Sequence, residues 1–241
     1  RAWHYGSPEV VESPAGWFAF DGAGTITAFN YQPGRENVVI PWEIGGVPVT
    51  AIGAFAFHDT GDQAGLPVTS VIAPQTVTVI GDSAFYGCEL LTSINLPQAQ
   101  TVGDGVFSDC FLLASINLPQ VTSIGNDAFF YCDTLASVSL PQAQTVGVRA
   151  FAGCYSLASV SLPQATAIGD GAFSYCTSLA SVSLPQATAI GDYAFYGCAM
   201  LTSVHMGQNA PAEAAGVFAD IPLPPTVYVT NPQATGWGAV W

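Results

Sequence analysis

The chain has 241 residues, half of them hydrophobic and only 8% charged, with three arginines, no lysine, 17 acids and a net charge of −14. That balance argues against nucleic acid and anionic lipid as partners, since both select clustered basic residues. No apolar run approaches the ~18 residues that a membrane span needs.

In chain order, residues 1–35 read as a tail and a β-hairpin cap. Trp17 to Phe20 and Thr25 to Tyr31 flank the turn Asp21-Gly22-Ala23-Gly24. A repeat region follows over residues 36–207. Its first strands are Val38-Val39-Ile40-Pro41 and Val71-Ile72-Ala73-Pro74. The first coil continues to Ile52-Gly53 and Phe57, with Thr60 in the column later held by cysteine and a loop inserted from His58 to Leu66.

From there the period is strict. Cys88, Cys110, Cys132, Cys154, Cys176 and Cys198 lie 22 residues apart, each three residues after Phe85, Phe107, Phe129, Phe151, Phe173 or Phe195. Prolines from Pro97 to Pro185 and Ile/Val-Gly pairs from Ile80-Gly81 to Ile190-Gly191 keep the same step. Val204-His205-Met206 and Val227-Tyr228-Val229 supply the eighth and ninth strands, with Phe218 in the phenylalanine column. Residues 208–241 read as a terminal coil whose Trp237 and Trp241 close the end.

One unit runs from Leu179 to Met200. Val182 and Leu184 alternate with Ser181 and Ser183, as in a short half-buried strand. Pro185 ends that strand, Gly191 supplies a turn conformation, and Asp192 is placed to cap a brief helical turn over 193–196. Twenty-two residues leave no room for a long helix. The expected fold is an α/β, β-rich, right-handed leucine-rich-repeat solenoid of about nine coils. It has a parallel sheet on one face and short helical or 3₁₀ turns on the other, and like residues stack from coil to coil.

These motifs resemble the BspA-like class of leucine-rich repeats, over roughly residues 16 to 241. The resemblance rests on Val39-Ile40-Pro41 followed by the stretch from Ile44 to Gly53, on the six Ile/Val-Gly-x-x-Ala/Val-Phe-x-x-Cys segments, and on the ending Val227-Tyr228-Val229 with its tryptophans. Units of 22 residues are one shorter than the family's common length. The resemblance implies a secreted or bacterial cell-surface protein that adheres to host proteins or cells. It carries no ligand site that maps onto these residues.

The even cysteine count raises disulfides. Equivalent side chains on stacked coils sit ~4.8 Å apart and point the same way, whereas a bridge needs convergent Cβ atoms ~3.8 Å apart. Buried free thiols are therefore expected, and the spacing is not that of a zinc site. Asp82, Asp104, Asn126, Asp170 and Asp192 share a column read as corner caps rather than a calcium edge; Val148 interrupts it. His4, His58 and His205 have no acid placed by motif to orient them, so the chain reads as non-enzymatic, without metal or cofactor.

Outward strand positions from Ser93 to Ser203, and from Asn95 to His205, are small and uncharged, which makes a poor hot spot. Tyr86, Phe130, Tyr131, Tyr155, Tyr175, Tyr193 and Tyr196 vary between units around the helical turns. They are the candidate ligand-binding residues, an aromatic patch for a host or matrix protein or a glycan. The bland alternative is that several of them only pack over the corners. Two functions therefore compete: a monomeric binding or adhesion module, and a structural spacer in a larger surface protein.

Overall fold

A computed structural model describes residues 11–58, 66–207, 211 and 214–230. Thr60 and most of the inserted loop, His4, Trp237 and Trp241 lie outside the described residues.

Among the described residues, each of nine coils contributes a strand of three or four residues, from Asn37–Val39 through Ser93–Asn95 to Thr226–Val229. Their pairing is parallel and in register, at a 22-residue step through the central coils, 23 at the last and 33 across the inserted loop. Ser159 lies beside Ser181, Ser181 beside Ser203, and Ser203 beside Thr226. Ile94, Ile116, Val160, Val182 and Val204 point inward and are buried. The ladder is interrupted after Ser93–Asn95 and again after Ser137–Ser139.

A second ladder ends at the Ile or Val of each Ile/Val-Gly pair, and the alternation of the first strands gives no hint of it. Its members are two residues long, such as Thr101–Val102, Ser123–Ile124 and Thr145–Val146, and pair in parallel. At its N-terminal end Thr25–Phe29 pairs in parallel with Ala51–Ile52 and antiparallel with Phe18–Phe20. The intervening turn is held by Asp21 Oδ1, which accepts the Ala23 and Thr25 amides at 2.7 and 2.9 Å. Those backbone donors keep the Asp21 carboxyl below its ordinary value.

The face opposite the first strands differs from expectation. No α-helix occurs among the described residues, and the one 3₁₀ turn is Ala15–Trp17, so the class is a β-solenoid rather than α/β. Each coil instead makes linked β-turns. Ala84 donates to Gly81 O, Tyr86 to Ser83 O, and Cys88 to Phe85 O. The alternate amides leave the coil: Ser83, Phe85 and Gly87 donate to Asp104 O, Val106 O and Ser108 O of the next one, at 2.7–2.9 Å. A helix would have spent these donors internally. What prevents it is positive φ at the third residue of two turns per coil, as at Ser83 (54°) and Gly87 (67°).

The Ile/Val-Gly glycines also serve a different purpose from the turn conformation expected of them. Gly147 is not in the left-handed region. A Cβ on it would lie 2.6 Å from the backbone C and O of Gly125 and 2.7 Å from Asn126 N. Glycine is required there because one coil's backbone runs against the next.

The core is a set of columns. Phenylalanine rings stack continuously from Phe29 through Phe57 and the six repeat members to Phe218, with centroids 4.7–5.8 Å apart. Phe29, on the hairpin, extends the spine beyond the sequence columns and is met by Phe18 at 5.6 Å and Trp17 at 6.3 Å.

All six cysteines are free and buried. Each Sγ donates to the phenylalanine carbonyl of the preceding coil, at 3.1–3.4 Å, from Cys88 to Phe57 through Cys198 to Phe173. A small apolar side chain with one weak donor suits that position. Burial raises every thiol pKa, to about 12 at Cys88 and Cys198.

Candidate functional site

Two surfaces compete. On the strand face, Ser93–Asn95, Ser115–Asn117 and Ser137–Ser139 line a depression of about 510 Å³ at the first ladder break. Its exposed side chains are short hydroxyls and amides, which give little area and no charge. Exposed glutamines such as Gln120, Gln142 and Gln164 follow it.

The turn face carries the aromatics, and the structure divides the seven sequence candidates into groups. Tyr86 stands apart, edge-on to His58 at 5.4 Å. Phe130, Tyr131 and Tyr155 cluster, with centroids 4.2 and 6.2 Å apart and the Arg149 guanidinium 5.4 Å over Phe130. Burial, then the neighbouring Tyr131, raises the Tyr155 pKa. Tyr175, Tyr193 and Tyr196 form a third group, in which Tyr196 meets the other two edge-on at 5.3 and 6.0 Å.

Backbone conformation orients these rings. Tyr131, Tyr175 and Tyr193 occupy left-handed positions, with φ of 54°, 58° and 56°. Each ring lies over a glycine of the following coil: Gly153, Gly197 and Gly216. A Cβ on Gly197 would come within 2.9 Å of Tyr175 Cδ1, so tyrosine and glycine are matched pairs. Packing over corners thus accounts for one side of each ring, and the other side faces solvent. Tyr175 and Tyr193 remain 50% exposed.

Small residues beside these rings make a groove of about 490 Å³. It is lined by Val148, Arg149, Asp170, Gly171, Ser174, Tyr175, Asp192, Tyr193 and Tyr196, and a Cβ on Gly171 would already meet Ser174 Oγ at 3.4 Å and Arg149 Cγ at 3.5 Å. Sequence reading missed Gly171, Ser174 and Arg149. The signal was present in the aligned columns: position 171 is glycine between Arg149 and Tyr193, and position 174 is serine before Tyr196.

The acid column does cap, but across coils. Asp82 Oδ1 accepts Asp104 N, Asp104 accepts Asn126 N, Asn126 accepts Val148 N, Asp170 accepts Asp192 N, and Asp192 accepts Ala215 N, all at 2.7–2.9 Å. No group of three metal-ligating side chains occurs among the described residues. His205 stacks on Tyr228 at 4.8 Å, and His58 Nδ1 lies 3.4 Å from the Tyr86 carbonyl.

Stacked coils, parallel ladders and an unbroken phenylalanine spine define a leucine-rich-repeat β-solenoid. The model for the BspA type leucine rich repeat region matches residues 50–167 and 100–223 in six copies, and the chain belongs to that family. It is similar to the solved leucine-rich-repeat protein of T. pallidum, at 31% identity and a TM-score of 0.57, covering 87% of this chain and 89% of that one. A leucine-rich-repeat protein of Bacteroides ovatus is 27% identical with a TM-score of 0.52, covering 84% of this chain and 66% of that one. No curated protein matches the chain. No helix among the described residues is long and apolar enough to cross a membrane.

Proposed function

We propose that the chain is a monomeric, non-enzymatic, extracellular binding module of a bacterial cell surface, holding a protein or glycan partner on its turn face. The observation that carries this reading is the groove at Gly171, which three tyrosines line together with the small residues Gly171 and Ser174. Tyrosine offers large contact area at little ordering cost. Rings fixed on left-handed backbone over a partner glycine are already ordered before anything binds. On this reading the hairpin from Phe18 to Phe29 covers the open end of the spine, so the solenoid acts as a rigid platform.

A structural spacer is the second reading, favoured by the small, uncharged strand face. The two separate in a capture experiment against matrix proteins and glycans. The module reading expects capture by the wild type and at least a tenfold loss on changing Tyr175, Tyr193 and Tyr196 together to Ala. Unchanged capture by that variant, with its circular dichroism intact, excludes the groove as the binding site, and failed capture by the wild type returns the chain to a spacer.

A further inference from the structure

Resting on the binding reading, we infer that the groove over Gly171 receives a cationic side chain, an arginine or lysine, from a protein partner. The apolar part of the groove suits the stem. Tyr193 and Tyr196 line it together with the aliphatic part of Arg149, whose Cγ is 3.5 Å from where a Gly171 Cβ would be. Glycine at 171 keeps that volume open. The same column elsewhere holds Ser83, Asp127, Arg149 and Tyr193 at positive φ, so the backbone alone does not demand glycine.

Charge selects the head group. Arg149 is already paired with Asp127 at 2.9 Å, the one ion pair among the described residues. Asp170 and Asp192 have no such partner. Each uses Oδ1 to hold a backbone amide of the next coil, which fixes the carboxylate and leaves Oδ2 free to accept from a ligand. The groove thus presents two oriented acceptors and three tyrosine rings, a lining that favours a cation both by hydrogen bonding and through the rings. A neutral sugar would gain the rings and leave both charges uncompensated.

The column supplies its own isosteric test. Asn126 occupies the same place and accepts the Val148 amide at 2.8 Å, so Asp170→Asn with Asp192→Asn keeps the coil-to-coil bonds while removing charge. The probe is N-acetyl-arginine amide titrated into the intact protein and followed by the amide resonances of Gly171, Ser174 and Tyr193. Wild type should show saturable shifts at these residues that weaken as salt rises. The double variant should bind about tenfold more weakly or not at all.

Asp82→Asn with Asp104→Asn removes the same charge from the same column outside the groove and should leave binding unchanged. Gly171→Tyr, which fills the groove, should abolish it. Equal weakening by both charge pairs means diffuse attraction to an acidic protein and overturns the proposal. So do shifts at Gly171 with neutral oligosaccharides but not with the arginine probe, an outcome that leaves the binding reading standing. Shifts with neither probe, together with failed capture, remove both.

Discussion

Phe151→Ala should destabilise the protein by about 3–5 kcal/mol, the range for truncating a buried phenylalanine. The ring is fully buried, stacked between Phe129 at 4.9 Å and Phe173 at 5.2 Å and nearly parallel to both. Surroundings that could collapse would soften the loss, but these cannot. Phe151 N donates to Ala172 O at 2.7 Å, and Phe129 N to Ala150 O at 2.7 Å, so the spacing of coils is fixed by backbone bonds and the cavity stays open. The same change at Phe218, half-buried near the end of the spine, should cost less. Urea unfolding followed by circular dichroism measures both. Equal, small shifts at the two positions would mean the rings do not carry the stack.

The second large effect is alkaline unfolding. Burial raises the folded pKa of all six thiols, to about 12 at Cys88 and Cys198, whereas an unfolded cysteine titrates near 9. Below pH ~9 both states keep the proton and the stabilisation is complete. Above it, unfolding releases protons that the native state holds, so stability falls as pH rises toward 12. Each thiol contributes a slope of about 1.4 kcal/mol per pH unit, and six together about 8. The protein should therefore unfold sharply between about pH 9 and 12. Thiolate absorbance should appear only with loss of the circular dichroism signal. Cys132→Ser keeps a donor for Phe107 O and should shallow the dependence by one proton. Thiolates forming at ordinary pH in the folded protein would contradict the buried column.

Much of this was legible in the sequence because stacking turns a period into an address. The cysteine column, its phenylalanines, the central strands and the free thiols all follow from residues 22 apart pointing the same way, and the outer strands continue the same phase. The turn face was misread for a physical reason. Phe85 and Cys88 are three apart and follow Asp82, which imitates an apolar helix stripe behind an N-cap. What breaks the helix is left-handed backbone at Ser83, Asp127, Arg149 and Tyr193, residues whose identity does not announce it. The second ladder was hidden because two residues show no alternation. Asp170 and Asp192 looked like caps of their own coils, and only the spacing between coils shows that they serve the next one. The groove is legible only in columns, where Gly171 falls between Arg149 and Tyr193.

The turn face is bonded between coils as well as within them, and native-state amide hydrogen exchange reads that bonding residue by residue. Phe107, Phe129, Phe151 and Phe173 donate to the alanine carbonyls of the next coil, so their amides should exchange only through global unfolding. A change that opens the terminal coil should leave these central amides protected. Fast exchange at them, or protection following an i to i−4 pattern within each coil, would contradict the stacked-turn solenoid.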